Sequence, residues 1–137
     1  MAILNPPKFF VEESARLFCA QHEALASEAN GHVEAAVKIA ASRLIETYDH
    51  NSFLVRGQTH PTLFYLVDMD ERACSCPAFA RAVKRGELAF CKHGLAVRFA
   101  LDACQLKAEF DKDMAEQFQS EIVAARYAEG ADREQLA

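Results

Sequence analysis

Three cysteines and one histidine near the middle of the chain restrict its fold more than any other feature. They form the pattern Cys74-x-Cys76, fourteen intervening residues, then Cys91-x-His93. A ligand set of three thiolates and one imidazole binds Zn²⁺ in preference to hard cations. Four protein ligands also complete the tetrahedral coordination of zinc. The spacing therefore predicts one closed zinc site that organises structure and leaves no position for a reacting water.

The two ligand pairs require different local structures. Residues two apart on a β-strand project from the same face, so Cys74 and Cys76 can reach one metal from an extended segment. Residues two apart on a helix do not face each other, so Cys91 is predicted in a turn directly before a helix that carries His93 in its first turn. This helix would run from His93 to about Leu106, and its N-terminal dipole would favour the thiolate of Cys91.

The alternative interpretation is that these are ordinary buried cysteines or two disulfides. Disulfides are disfavoured because the count of five cysteines is odd and no basic segment followed by an apolar signal opens the chain. We therefore expect a soluble protein in a reducing intracellular compartment, the nucleus if eukaryotic or the cytoplasm if prokaryotic. Cys19 and Cys104 stand apart from the cluster and are expected to be small core residues.

The charge is uneven along the chain, although the net charge is −5. From Phe53 to Leu101 there are seven Lys/Arg and four Asp/Glu, whereas both flanks are acidic. The central excess comes mostly from Arg81, Lys84, Arg85, Lys92 and Arg98. Two explanations of this excess remain open: the basic side chains bind the phosphates of a nucleic acid, or they form an ordinary solvent-exposed surface.

Hydrophobic periodicity predicts helices before the cysteine cluster and strands leading into it. The helices are expected at about Phe10 to Ala29 and His32 to Tyr48. Strands are expected at Phe53–Val55, Leu63–Val67 and Arg72–Cys76, and the second is apolar enough that both of its faces should be covered. A further helix opens at Pro77, with Phe79 and Val83 inward and a break at Gly86.

The helix that follows His93 is apolar around much of its girth, which fits a central buried helix or one that is half core and half partner surface. A last amphipathic helix is expected from Phe110 to about Tyr127, followed by a frayed tail from Glu129 to Ala137. Its apolar stripe serves either core packing or partner docking, and consists of Phe110, Met114, Phe118, Ile122 and Ala125.

The segments CSCPAF at 74–79 and CKHGLAV at 91–97 resemble the SWIM-type zinc finger, whose signature is Cys-x-Cys, a variable gap, then Cys-x-His. The alanine that the family commonly has three residues after the histidine is present as Ala96. The resemblance covers about Val33 to Leu101 and implies a β-hairpin before the first two ligands and a helix beginning at the last two. The expected fold is α+β, a small β-hairpin or three-stranded sheet with a zinc site, flanked by N-terminal and C-terminal helices.

This resemblance divides the chain into an N-terminal helix at 1–31, a SWIM zinc finger domain at 32–106 and a C-terminal amphipathic helix and tail at 107–137. The size and layout are similar to the stand-alone SWIM subunit of Shu-type recombination mediators. That likeness implies a non-enzymatic accessory subunit in DNA recombination and repair, which forms a hetero-oligomer with a RecA-like recombinase paralog. Single-stranded DNA is a further expected contact, and the candidate partner interface is Phe110, Met114, Phe118 and Ile122.

Two other functions remain open from the sequence. An autonomous nucleic-acid-binding SWIM regulator, from a mobile element or another DNA-processing system, would use the five central basic residues on phosphates, with Phe79 and Phe90 as possible stacking platforms. An enzyme would have to combine scattered histidines with acids such as Asp49, Asp68 or Asp70. The sequence gives little support for an enzyme, because no nucleophile motif or phosphate-binding glycine loop accompanies these histidines and acids.

Overall fold

The computed structural model describes residues 2–24, 30–60, 62–84 and 91–136. The chain divides into two compact units, Met1–Leu106 and Lys107–Ala137. The strands are β1 (Ile3–Leu4), β2 (Ile45–Thr47), β3 (Ser52–Arg56), β4 (Phe64–Asp68) and β5 (Ala73–Cys74). The helices are α1 (Lys8–Gln21), α2 (Asn30–Ala40), α3 (Pro77–Lys84) and α4 (Lys92–Leu136). Within the described residues, no helix has both the length and the apolar composition needed to cross a membrane.

The strands form one antiparallel sheet in the order β1-β2-β3-β4-β5. Its register places Phe53 opposite Val67, and Val67 opposite Cys74. Because side chains alternate between the two faces of a strand, these three residues share one face of the sheet. The first zinc ligand therefore lies on the same buried face as the hydrophobic core, and the expected α+β class is confirmed.

The core forms where this inner face meets the helices of the first unit. Ile45, Val55 and Val67 from the sheet are essentially inaccessible to solvent. The buried helical residues around them include Val11, Phe18, Ile39, Leu95, Ala96, Val97, Phe99, Ala100 and Ala103. The interpretation of the helix after His93 as a central buried helix is thus correct for its first three turns.

The second predicted helix ends earlier than expected. α2 stops at Ala40, and Arg43 adopts a left-handed backbone conformation with φ of 60° that reverses the chain. Ile45 to Thr47 then form β2, because two β-branched residues alternate with Glu46 in the period that suits a strand. The polar residues Asp49-His50-Asn51 then form the turn that joins β2 to β3. The Asp49 carboxylate stabilises this turn by accepting hydrogen bonds from the backbone N–H groups of Asn51 and Ser52.

The N-terminal segment also differs from the expectation. α1 ends at Gln21 rather than Ala29, and the His22 N–H closes it by donating to the Phe18 carbonyl at 2.9 Å. Residues 25–29 lie outside the described part of the chain. Ile3 and Leu4 add a second strand that the sequence did not indicate, besides β2, so the sheet has five strands rather than three.

The outer face of the sheet is partly exposed to solvent, contrary to the expectation for the strand around Leu66. Phe64 and Leu66 are each 41% exposed, and the Leu66 partner on β3 is Leu54 on the same outer face. The guanidinium of Arg56 lies 5.0 Å from the centre of the Phe64 ring and screens part of it. Val83 on α3 is likewise exposed rather than inward.

The predicted boundary between two C-terminal helices does not exist. α4 is a single helix from Lys92 to Leu136, so the expected end near Leu106, the start at Phe110 and the frayed tail are all wrong. The segment Lys107-Ala108-Glu109 contains only strong helix formers, and no glycine or proline interrupts it. In the second unit, Phe110, Met114 and Phe118 are exposed.

We expect Phe99→Ala to destabilise the first unit by about 3–5 kcal/mol, because it empties a fully buried site in contact with Phe18. The matched variant Phe118→Ala removes the same atoms from a side chain that is 63% exposed, and should change stability by about 0.5 kcal/mol or less. Urea unfolding of zinc-loaded protein, followed by circular dichroism, measures both. Equal losses in the two variants would contradict this description of the core.

Candidate metal centre

Two of the cysteines occupy equivalent positions at the starts of helices. Cys76 immediately precedes α3, and Cys91 immediately precedes α4. In each case the backbone N–H three residues later donates to the sulfur, from Phe79 at 3.4 Å and from Gly94 at 3.3 Å. Both thiolates are therefore stabilised by helix N-termini, through direct hydrogen bonds and through the positive end of the helix dipole.

The other two ligands come from the sheet and from the first turn of α4. Cys74 ends β5, where pairing with Val67 fixes its direction. The connection to Cys76 remains beside β4, because the Ser75 N–H donates to the Leu66 carbonyl at 3.0 Å. His93 follows Cys91 within the first turn, as the sequence predicted, although the helix begins one residue earlier at Lys92.

The four side chains are buried and converge on one point. Their candidate ligand atoms all lie within 4.8 Å of one another, and the Cys74 Sγ is 3.7 Å from the His93 Nδ1. Tetrahedral zinc with bonds of about 2.0–2.3 Å separates its ligand atoms by about 3.5–3.8 Å. The cluster therefore fits a closed Cys₃His zinc site, in which zinc would be held by Cys74, Cys76, Cys91 and His93.

The electrostatics of the cluster favour a bound cation. The hydrogen bond from the Cys74 thiol lowers the pKa of Cys91 to about 4, with smaller contributions from His93 and the Gly94 N–H. The same proton sharing, together with burial, raises the pKa of Cys74, and burial raises that of Cys76. Three thiols at this separation cannot all ionise without a positive charge between them, and a Zn²⁺ ion held by these ligands would supply that charge.

Two residues that sequence reasoning missed support the ligands. The ring of Tyr65 stacks on His93 with centroids 4.4 Å apart and an angle of 25°, which fixes the plane of the imidazole. Gly94 provides the N–H for Cys91, and its position three residues after a helix-capping cysteine was the available signal. No comparable signal marked Tyr65, because its contact depends on how the sheet meets α4.

The five candidate basic residues fall into different environments. Arg81 and Lys84 are exposed on α3 and share a helix face, because they are three residues apart. Lys92 is half-buried at the start of α4, and Arg98 is held by Asp102 at 2.9 Å. Arg85 and Phe90 lie outside the described residues. Phe79 is half-buried and packs against the core.

The acids considered for catalysis have structural roles in turns. Asp49 caps the β2–β3 turn, and the Asp68 Oδ1 accepts the N–H groups of Asp70 and Glu71 at 3.0 and 3.1 Å. Asn51 donates a hydrogen bond to the Asp70 carboxylate at 2.7 Å and so links the two turns.

All five cysteines are free in the structure, and Cys19 and Cys104 are half-buried, away from the cluster.

This arrangement of ligands agrees with a known family. Residues 65–101 match the SWIM zinc finger. The match covers a little over a quarter of the chain, includes all four ligands, and spans most of β4, all of β5 and α3, and the start of α4. No curated protein and no solved structure matches the chain. The SWIM match begins later than the resemblance expected from Val33.

We expect purified wild-type protein to contain one zinc per chain and Cys91→Ser to contain none, because the hydroxyl of serine is a poor substitute for a thiolate. Loss of zinc should also unfold the SWIM finger, since the ligand set stabilises β5, α3 and the start of α4 together. Cys104→Ser is the matched control, because Cys104 is free and lies outside the cluster. Metal analysis and circular dichroism test this, and full zinc content in Cys91→Ser would contradict the assigned site.

Proposed function

We propose that this protein is a non-enzymatic, zinc-structured accessory subunit of DNA recombination or repair that binds a RecA-like protein partner. The observation that carries the proposal is the stripe of Phe110, Met114 and Phe118, all three about half exposed or more. Large apolar side chains at regular spacing on an otherwise charged helix are typical of helix-mediated protein recognition. Ile122, the fourth candidate, is half-buried.

The metal shell supports the non-enzymatic part of the proposal. Four protein ligands leave zinc no open coordination position for a substrate or an activated water, in contrast to the three-ligand sites of zinc enzymes. The SWIM finger then acts through its fold. It holds the start of α4 against the core, and α4 continues into the stripe.

The pathway and the type of partner rest on a different argument. CSCPAF at 74–79, helices before the finger and a helical segment after it are features shared with the stand-alone SWIM subunit of Shu-type mediators. On this basis the partner is a RecA-like recombinase paralog, and the functional form is a hetero-oligomer. The proposed location is intracellular, in the nucleus of a eukaryote or the cytoplasm of a prokaryote.

Co-purification from the native cells, with mass spectrometry, tests the partner. Wild type should recover a RecA-like ATPase, and Phe118→Glu should reduce its recovery about tenfold or more, because a charge in the apolar stripe opposes docking. Gln117→Glu is the matched control, since it adds the same charge at the neighbouring position outside the stripe. Zinc content should be unchanged in both variants, and failure of wild type to recover such a protein would overturn the proposal.

Direct contact with single-stranded DNA is the second candidate function, and the observation that favours it is the exposed pair of Arg81 and Lys84 on α3. If each side chain neutralises one phosphate, the double variant Arg81→Ala/Lys84→Ala should lower the slope of log affinity against log salt by about 1.4. Lys112→Ala/Arg126→Ala removes the same number of charges from the second unit and serves as the control. Fluorescence anisotropy with an oligothymidylate measures the slopes, and identical slopes would exclude this pair as a DNA contact.

A further inference from the structure

A cavity of about 490 Å³ lies beside the zinc ligands within the first unit. Its apolar lining includes Phe18 of α1, Met69 of the β4–β5 turn, Phe79 of α3 and Leu95 of α4. Cys74 and Cys91 also line it. A concave apolar space of this size with few polar groups is typical of a site that receives a ligand or a partner side chain.

Arg72 gives this cavity a specific chemical character. It lines the cavity, is exposed, and has no ion-pair or hydrogen-bond partner for its side chain among the described residues. Its backbone is left-handed with φ of 52°, which is uncommon for a residue other than glycine. The turn fixes this conformation, because the Asp68 carboxylate caps it through two backbone N–H groups. The result is an arginine whose backbone is held in place and whose guanidinium has no partner among the described residues, beside a largely apolar space.

The surrounding charges favour a protein ligand over a nucleic acid. Asp68 lines the cavity, and Asp70 and Glu71 belong to the same turn as Arg72. The other arginine of the lining, Arg98, is neutralised by Asp102. These carboxylates repel every anionic ligand in proportion to its charge, so they oppose a polyanion far more than a single carboxylate, whose repulsion two hydrogen bonds to Arg72 would offset.

We propose that this cavity is a docking site for a partner polypeptide that inserts one bulky apolar side chain and pairs an adjacent carboxylate with Arg72. Buried apolar anchors in preformed pockets carry much of the free energy of protein binding, and arginine binds a carboxylate with two parallel hydrogen bonds. The site rests on the proposed function, in that it presumes a protein partner. It is separate from the stripe of Phe110, Met114 and Phe118, because all of its lining residues belong to the first unit.

Short Gly/Ser peptides with a central Phe beside an Asp, in either order, test the site by nuclear magnetic resonance titration of the zinc-loaded full chain. The Phe/Asp peptides should shift the resonances of Met69, Arg72 and Phe79. Matched peptides with Phe/Lys or Ala/Asp should bind about tenfold more weakly, because each lacks one of the two recognised groups. No binding by any peptide would overturn the proposal, as would cavity shifts caused by an oligothymidylate or by self-association instead.

Two variants separate recognition from a structural effect. Arg72→Glu should reverse the preference, so that Phe/Lys binds more tightly than Phe/Asp. Arg72→Gly should abolish the preference while the zinc content and fold are retained, because glycine readily adopts the positive φ of this position. An unchanged preference in either variant would refute the role of Arg72. If peptides fail but the RecA-like partner is still recovered with wild type and lost in Phe118→Glu, the cavity proposal fails while the proposed function stands.

Discussion

The close approach of three buried thiols and one imidazole is the constraint on which the metal-binding part of the first unit depends. Without a cation, Cys91 ionises only because Cys74 retains its proton, and burial keeps Cys76 protonated as well. A bound zinc ion would remove this conflict, and in small zinc modules the apparent free energy of binding is roughly 10–16 kcal/mol. The two-residue β5 and the eight-residue α3 are too short to be stable alone, so a metal held by Cys74, Cys76, Cys91 and His93 would stabilise both of them.

The ligand positions also explain how the metal centre is connected to the core. Cys74 continues the inner face of the sheet, while Cys91 and His93 begin the helix whose buried residues Leu95 and Phe99 fill the core. A metal bound by these ligands would therefore fix the relation between a strand edge and a helix start, and hydrophobic packing maintains this relation further along α4. The proposed docking cavity lies at this junction, where neither the sheet nor the helices fill the space.

The sequence predicted the structure best where metal coordination or a proline allows few local backbone conformations. The four clustered ligands, a helix start next to Cys91 and His93, and the helix after Pro77 follow from coordination geometry and proline preference, and the structure agrees with each of them. It was least informative at Ile45–Thr47, where adjacent apolar residues satisfy both the helical and the strand period. The change of apolar pattern near Leu106 predicts a break that α4 does not have, because the strong helix formers Lys107-Ala108-Glu109 continue the helix and no glycine or proline there favours an end. Tyr65 and Arg72 depend on tertiary placement, which single-sequence periodicity does not encode.

The shortness of the two edge strands has a consequence for how the sheet meets other molecules. β1 and β5 contain two residues each, so each edge of the sheet offers very little backbone for strand addition. The outer face nevertheless carries Leu54, Phe64 and Leu66 in a region that monomeric antiparallel sheets usually fill with polar groups. Another chain can therefore extend this sheet only poorly, and recognition has to proceed through side chains. The short edge strands oppose edge-to-edge pairing of sheets, while the outer face keeps an exposed apolar surface.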